Sequence, residues 1–228
     1  DAFYELWRNA IISDTNEPGS TYKPFTVATG LESGALTGNE SYFCTGSLMV
    51  GKRNIGCSHV HGNITLKDAV AKSCNVAMMN IAFNEGAETF YNYQNLFGFG
   101  RSTGIDLPGE AETKNLVYNA SNYSNSVTLA TNAFGQNFNC TMMQMAAGFC
   151  SLINGGKTVS EETSASIRSY MQQTVENGTG TKAQIEGYTI GGKTGTAEKI
   201  PRNKKDYYVS FIGFTPVEKP ELLVYVTI

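Results

Sequence analysis

A serine and a lysine three positions apart, Ser20 and Lys23, form the first reactive pair in the sequence. A serine hydroxyl is a weak nucleophile until an adjacent base takes its proton, and residues three apart share one face of a helical turn. A lysine amine can be that base if burial or a second cation lowers its pKa. Pro18 and Gly19 favour a helix start at Ser20, where free N–H groups stabilise developing negative charge. The same residues also fit an ordinary capped helix start.

Two further motifs follow in order, Ser73-x-Asn75 and Lys193-Thr194-Gly195-Thr196. Alone, the first is compatible with a polar connector between two apolar helices, and the second with an edge strand that contains a turn glycine. Together with Ser20-x-x-Lys23, they form the motif set of penicillin-binding proteins and serine β-lactamases.

The sequence closely resembles the transpeptidase domain of class B penicillin-binding proteins, and most of all the sporulation and cell-division branch of Gram-positive bacteria. The likeness covers nearly the whole chain and is densest in five blocks, residues 17–26, 72–76, 103–110, 134–136 and 191–198. It implies an α+β fold of the penicillin-binding protein and serine β-lactamase type, with helices packed on both faces of an antiparallel sheet. Residues 1–228 would then be one transpeptidase domain.

The resemblance implies a peptidoglycan D,D-transpeptidase that works through a serine acyl-enzyme and is inhibited by β-lactams. Ser20 would attack the penultimate D-alanine carbonyl of a stem peptide, with Lys23 as the base. Ser73 would pass a proton toward the leaving amine. Asn75 would donate to Lys23 or bind the peptide backbone.

The third motif would bind the substrate. Lys193 would be the cation that keeps Lys23 neutral, and together with Thr194 and Thr196 it would hold the substrate carboxylate. Gly195 would allow the peptide to approach the strand backbone closely. Backbone N–H groups of the nucleophile and of Thr196 would form the oxyanion hole.

Two other functions are possible on this fold. One is a serine β-lactamase or D,D-carboxypeptidase, and the other is a non-catalytic β-lactam sensor domain. A class A lactamase needs a deacylating glutamate between the second and third motifs. Glu85, Glu110 and Glu112 lie in that span, but none has the local pattern of that class.

The resemblance also implies a cellular setting. The formal net charge of −3 argues against nucleic-acid binding. A relative of this kind would be anchored by an N-terminal helix at the extracytoplasmic face of the cell membrane and would work beside a membrane glycan polymerase. We therefore expect an anchor, a pedestal domain, the first sheet strands and a final helix outside this chain, and a missing segment near residues 157–158. The acyl transfer itself would need no cofactor.

Both histidines, His59 and His61, lie beside Cys57, with Cys44 upstream. Thiolate and imidazole are the preferred ligands of zinc, so Cys44, Cys57, His59 and His61 are candidate ligands of a structural zinc ion. A Cys44–Cys57 disulfide and two free thiols are the alternatives. Cys74, inside the second motif, is predicted to be a small buried filler.

Periodicity and capping signals predict the elements that must hold these side chains. Residues 1–16, including Trp7, are expected to cover the core, and residues 32–64 to form a hairpin excursion rich in Gly, Ser, Thr and Asn. Consecutive strands near the end, joined by short turns such as 204–206, predict an antiparallel sheet. Helices are predicted over residues 20–31, 65–72, 76–83, 87–97 and 141–153 and after Ser160.

Overall fold

The computed structural model describes residues 7–155, 158–199, 202, 204 and 206–228 of the chain. Its helices are α1 (Ala10–Ser13), α2 (Lys23–Glu32), α3 (Leu66–Ala71), α4 (Asn75–Glu85), α5 (Ala87–Leu96), α6 (Ser126–Asn132), α7 (Met142–Ile153) and α8 (Glu161–Asn177). Its strands are β1 (Thr15–Asn16), β2 (Ser41–Cys44), β3 (Ser47–Val50), β4 (Arg53–Gly56), β5 (Gly62–Thr65), β6 (Cys140–Thr141), β7 (Gly191–Glu198), β8 (Tyr207–Thr215) and β9 (Leu222–Thr227). Among the described helices, none is both long and apolar enough to cross a membrane.

The main sheet has three antiparallel strands in the order β7–β8–β9. Alternate residues of β9, Leu223 and Tyr225, pack against the helical core. Leu222, Val224 and Val226 point the other way and are half-exposed. The predicted α+β fold with an antiparallel sheet is confirmed, but in the described part of the chain the expected helical cover reaches only one face of β9.

The predicted excursion consists of two nested antiparallel pairs. β2 pairs with β5, and the shorter hairpin β3–β4 lies between them. Cys44 lies opposite Gly62 at the end of the outer pair. The excursion therefore returns the chain to the start of α3, and the loop between β4 and β5 ends beside the second motif.

Helix α2 is the centre of the fold. Every residue from Lys23 to Gly30 is buried, so the helix is surrounded on all sides. Tyr22 stacks on Phe25 with ring centroids 5.2 Å apart, and both rings contact further aromatic side chains, among them Phe99. Because buried aromatic pairs fix both distance and tilt, this cluster holds the serine–lysine turn rigidly.

Several predictions about local structure differ from what is found or fall outside the described residues. Trp7 is 86% exposed, so the expected cover of the core by the lead-in is wrong at this position. The remainder of that lead-in up to residue 6, the suspected gap near Lys157 and part of the turn at 204–206 lie outside the described residues. The helix predicted over residues 141–153 is confirmed, and its start is a capping box in which Thr141 and Gln144 bond reciprocally.

Candidate active site

The first motif spans the junction between two kinds of helix. Ser20 lies in a 3₁₀ turn, Gly19–Tyr22, and Lys23 is the first residue of α2. Gly19 takes a positive φ of 58°, and its N–H donates to the Gly135 carbonyl at 2.8 Å. Ser20 remains partly exposed, whereas Lys23 is fully buried. The turn therefore presents the hydroxyl to solvent and keeps the amine inside the protein.

The three motifs meet at the hydroxyl of Ser73. The Lys23 Nζ donates to the Ser73 carbonyl at 2.6 Å and lies 2.9 Å from its Oγ. Lys193 Nζ approaches the same Oγ at 2.9 Å. Ser73 has a φ of 58°, a left-handed conformation that is rare outside glycine, between α3 and α4. A hydroxyl placed between two amines can accept a proton from one and donate to the other.

The candidate nucleophile and its candidate base are not directly hydrogen-bonded in the described structure. Among the hydrogen bonds of the described residues, Lys23 bonds to Ser73 and not to Ser20. Catalytic hydrogen bonds often form only when substrate is bound, so the separation does not remove Lys23 from the site. It shows that Ser73 holds Lys23 in place in the free protein.

The two lysines are both driven toward their neutral forms. Burial lowers the pKa of the Lys23 ammonium to about 8, and Cys57 and Cys74 nearby act in the opposite direction. Burial, followed by repulsion from Lys23, lowers the pKa of Lys193 well below its ordinary value. Two ammonium groups against one hydroxyl repel each other, so the pair readily gives up one proton.

Two residues of the motifs have contacts that differ from those predicted. The side-chain amide of Asn75 donates to the Gly56 carbonyl at 3.0 Å, so in this structure it ties the excursion to α4 and does not bond to Lys23. A Cβ on Gly195 would lie 2.4 Å from Ser210 Oγ and 2.9 Å from Thr21 Cγ2. Glycine is therefore needed because β7 packs closely on the first motif, not only because a peptide approaches.

A cleft of about 520 Å³ runs between β7 and the second motif. Sequence reasoning missed Thr179, whose hydroxyl lies 2.6 Å from that of Thr194, although its position between two glycines after a long helix was a usable signal. Of the described residues around the cleft, none is a carboxylic acid. The lining consists of Ser20, Ser58, His59, Lys72, Ser73, Asn75, Thr179, Thr194, Gly195, Thr196, Val209 and Ser210.

The structure brings together three of the four predicted zinc ligands and replaces the fourth. Cys44, Cys57 and His61 converge, and Cys74 joins them, so that all four donor atoms lie within 4.8 Å of one another. His59 is outside this group and lines the cleft instead. Cys74 is buried as predicted, and its sulfur lies with the other three donor atoms of the cluster.

Comparison with known proteins shows the family to which the chain belongs. The family model "Penicillin binding protein transpeptidase domain" matches residues 1–228. Stage V sporulation protein D of Bacillus subtilis is 34% identical over 97% of this chain and 39% of that protein. The probable peptidoglycan D,D-transpeptidase PenA of Neisseria gonorrhoeae is 29% identical over 98% of this chain and 42% of that protein.

A solved structure shows the same fold. The transpeptidase domain of penicillin-binding protein 3 from Burkholderia pseudomallei superposes with a TM-score of 0.90 at 26% identity, covering 98% of this chain and 74% of that one. The chain spans about two fifths of the length of the two curated relatives named above. On the match over its full length, the chain belongs to the penicillin-binding protein transpeptidase domain family.

Proposed function

We propose that this chain is the catalytic domain of a peptidoglycan D,D-transpeptidase that uses Ser20 as its nucleophile. The observation that carries the proposal is the convergence of Lys23 and Lys193 on the Ser73 hydroxyl, beside a cleft that Ser20 lines. This arrangement supplies a nucleophile, a neutral amine and a proton path at one site. Those are the groups that acyl transfer through a serine ester requires.

Acylation begins when Ser20 Oγ attacks the carbonyl carbon of the penultimate D-alanine and its proton passes to Lys23. The carbonyl oxygen becomes an oxyanion, which the backbone N–H groups of Ser20 and Thr196 stabilise. The peptide bond then breaks. The leaving D-alanine nitrogen takes a proton from Ser73, which regains one from Lys23. The product is a Ser20 ester and a free D-alanine.

The second half reverses the roles. The amine of a neighbouring stem peptide attacks the ester and loses a proton to the Ser73–Lys23 pair, and Ser20 leaves as the hydroxyl. Lys193, Thr194 and Thr196 hold the terminal carboxylate of the donor peptide. The bound carboxylate favours the protonated form of Lys193, so that the proton shared by the two lysines lies on Lys193 and Lys23 is neutral, and the two hydroxyls donate to the same carboxylate. A β-lactam, whose carboxylate and reactive carbonyl have a similar spacing, would acylate the same serine.

The cleft composition favours a transpeptidase over a β-lactamase. Fast hydrolysis of a serine ester needs a base that activates water, and the described part of the cleft lining holds no carboxylate. Glu110 instead accepts hydrogen bonds from Ser102 and Thr103, and Glu85 is buried near Gly30. The described lining therefore lacks the carboxylate base that a class A lactamase uses to activate water, which favours transfer of the ester to an acceptor amine.

Two measurements separate the candidate functions. A fluorescent penicillin should form an adduct that persists for hours, whereas a β-lactamase would release it within milliseconds. Incubation with a stem-peptide mimic and a fluorescent D-amino acid should give exchange of the terminal residue, which a sensor domain would not catalyse. A stable adduct without any exchange would favour the sensor, and rapid loss of the adduct would favour the lactamase.

The setting of the whole protein is part of the same proposal. The substrate is outside the cytoplasmic membrane, so the domain would work at the extracytoplasmic face, held there by an N-terminal helix. It would act beside a membrane glycan polymerase that supplies new strands. The acyl transfer steps above use only protein groups, so a bound metal ion would have a structural role and would not take part in the reaction.

A glycine beneath the nucleophile offers a test of how strictly the site is positioned. Gly135 has a φ of 82°, and a Cβ there would lie 2.0 Å from the Gly19 carbonyl oxygen. Gly135→Ala must therefore push back the turn that carries Ser20. We expect penicillin acylation to slow by about a hundredfold, because displacements of this size disrupt attack geometry. Stopped-flow or gel-based labelling would measure it.

The matched control is Gly104→Ala. Gly104 has a similar φ of 76°, but apart from its chain neighbours no atom of the described residues lies within 4 Å of its Cβ position. The Gly104→Ala variant places an alanine in a left-handed conformation, which costs about 1–2 kcal/mol. Unlike Gly135→Ala, it does not bring a Cβ into contact with the turn that carries Ser20. Both variants should lose stability, and only Gly135→Ala should lose most of its acylation rate. Equal rates in the two variants would mean that contact with Gly19 does not position Ser20.

A further inference from the structure

We propose that Cys44, Cys57, His61 and Cys74 bind one zinc ion, and that this ion positions the second motif. The His61 Nδ1 lies 3.4 Å from the Cys44 Sγ and 3.7 Å from the Cys57 Sγ. The sulfurs of Cys57 and Cys74 are 3.9 Å apart. The four residues come from the end of β2, the β4–β5 loop and the second motif, so they converge only in the folded protein.

These separations match the edges of a zinc tetrahedron. With Zn–S bonds of about 2.3 Å and Zn–N bonds of about 2.05 Å, tetrahedral angles place two sulfurs about 3.8 Å apart and a sulfur and a nitrogen about 3.5 Å apart. The three quoted pairs lie close to these edges, and the remaining pairs, all within 4.8 Å, would close to edges of about 3.8 Å or less around the ion. A disulfide would use two of the three thiols and would give no role to the imidazole at the same point.

The donor set selects the kind of metal. Three thiolates and one imidazole form a closed, four-coordinate set that is typical of structural zinc. Hard cations such as magnesium and calcium prefer oxygen ligands, and no oxygen donor belongs to this group. Cys44 and Cys74 are fully buried, and Cys57 and His61 are half-buried. The four ligands would complete the coordination of the ion, so it would not present an open position to substrate.

Backbone groups around the cluster are arranged to support thiolates. The N–H of Asn75 donates to Cys57 Sγ at 3.2 Å, and the N–H of Ala77 donates to Cys74 Sγ at 3.4 Å. Both donors belong to the first turn of α4, an eleven-residue helix whose positive end faces the sulfurs. Three thiolates leave the zinc site with one negative charge, which these N–H groups offset.

The position of the cluster gives the ion a role in the active site. Cys74 is bonded directly to Ser73, whose left-handed backbone places its hydroxyl between the two lysines. Zinc would fix Cys74, and through it Ser73, against the excursion. The ion also fixes Cys57 and His61, which flank Ser58 and His59 at the cleft. It is a positioning device and does not touch the reacting atoms.

The first experiment measures metal content, independently of activity. The protein is purified without chelator and without a histidine tag, and elemental analysis should find about one zinc per chain. Cobalt substitution should give the intense visible bands of a tetrahedral site and a thiolate-to-cobalt charge-transfer band. A zinc content near zero would overturn the proposal. This holds both if the thiols then react with an alkylating agent and if Cys57 is joined to Cys74 or Cys44 by a disulfide.

The two histidines provide a matched pair of variants. His61→Ala should lose the zinc, whereas His59→Ala, only two residues away, should retain it. Loss of zinc from His59→Ala with retention in His61→Ala would show that the ligand set is wrong. Because His61→Ala could also fold poorly, a strong chelator is applied to the wild-type protein, and zinc is then added back.

The last readout concerns the second motif. Removal of zinc from the wild-type protein should slow penicillin acylation by about tenfold or more, since a shift of the Ser73 hydroxyl disturbs proton transfer. Restoring zinc should restore the rate. Unchanged acylation in verified zinc-free protein would deny the ion its positioning role. If the proposed function itself were wrong, acylation would be absent with and without zinc, while zinc content would be unaffected.

Discussion

Ser20→Ala should abolish covalent labelling by a fluorescent penicillin while leaving the melting temperature close to that of the wild-type protein. Ser20 lines the cleft and is partly exposed. No hydrogen bond of its hydroxyl is found among the described residues, and the turn that carries it is held by Gly19 and by the aromatic ring of Tyr22. Removing the Oγ therefore removes the acylated atom without disturbing the packing.

Ser58→Ala is the control for this variant. Ser58 is an exposed serine in the same cleft, and its variant should be labelled at the wild-type rate. Mass spectrometry of peptides from labelled wild-type protein should locate the adduct on Ser20. Persistent labelling of folded Ser20→Ala, or an adduct mapped to another residue, would remove Ser20 from its role as nucleophile.

Replacing Lys23 should have the second-largest effect. Lys23→Met keeps the length and apolar stem of the side chain but removes the amine, and Lys23→Arg keeps a charge that cannot be given up at ordinary pH. Both should reduce the acylation rate by roughly a thousandfold, the contribution typical of a positioned base. The acylation rate and the melting temperature, followed by circular dichroism, are measured for both variants. A normal melting temperature together with a low rate shows that the base and not the fold has been lost.

Lys72→Met is the matched control, because Lys72 is an exposed lysine at the same cleft. Its rate should stay within a small factor of wild type. An arginine at position 23 that supports acylation at nearly the wild-type rate would show that the base is elsewhere, with Lys193 as the next residue to test because it contacts the same hydroxyl.

The pH profile of the wild-type protein tests the same assignment without mutation. A base acts only when deprotonated, and burial lowers the pKa of Lys23 to about 8. The acylation rate should therefore rise about tenfold per pH unit at lower pH and level off above about pH 8. The midpoint belongs to the pair of Lys23 and Lys193, since their titrations are coupled. A flat profile across this range would contradict a lysine base.

Much of the fold was predictable because it depends on local signals. Capping residues such as Thr65, Thr141 and Ser160 set helix starts that the structure reproduces, since a side-chain oxygen satisfies N–H groups within the same turn. Alternation and turn residues likewise indicated the strands near the end. The exposed position of Trp7 was not predictable, because hydrophobicity alone does not say whether a side chain finds a partner.

The sequence by itself determined the family and the set of candidate reactive residues, because the order and spacing of Ser20-x-x-Lys23, Ser73-x-Asn75 and the third motif are properties of the chain. Only the tertiary structure decided which atoms meet. It placed Ser73 between two lysines far apart in sequence, and it replaced His59 by Cys74 in the proposed zinc site. The sequence spacing of two distant residues does not predict whether they are in contact, since contacts between distant segments depend on how the whole core packs.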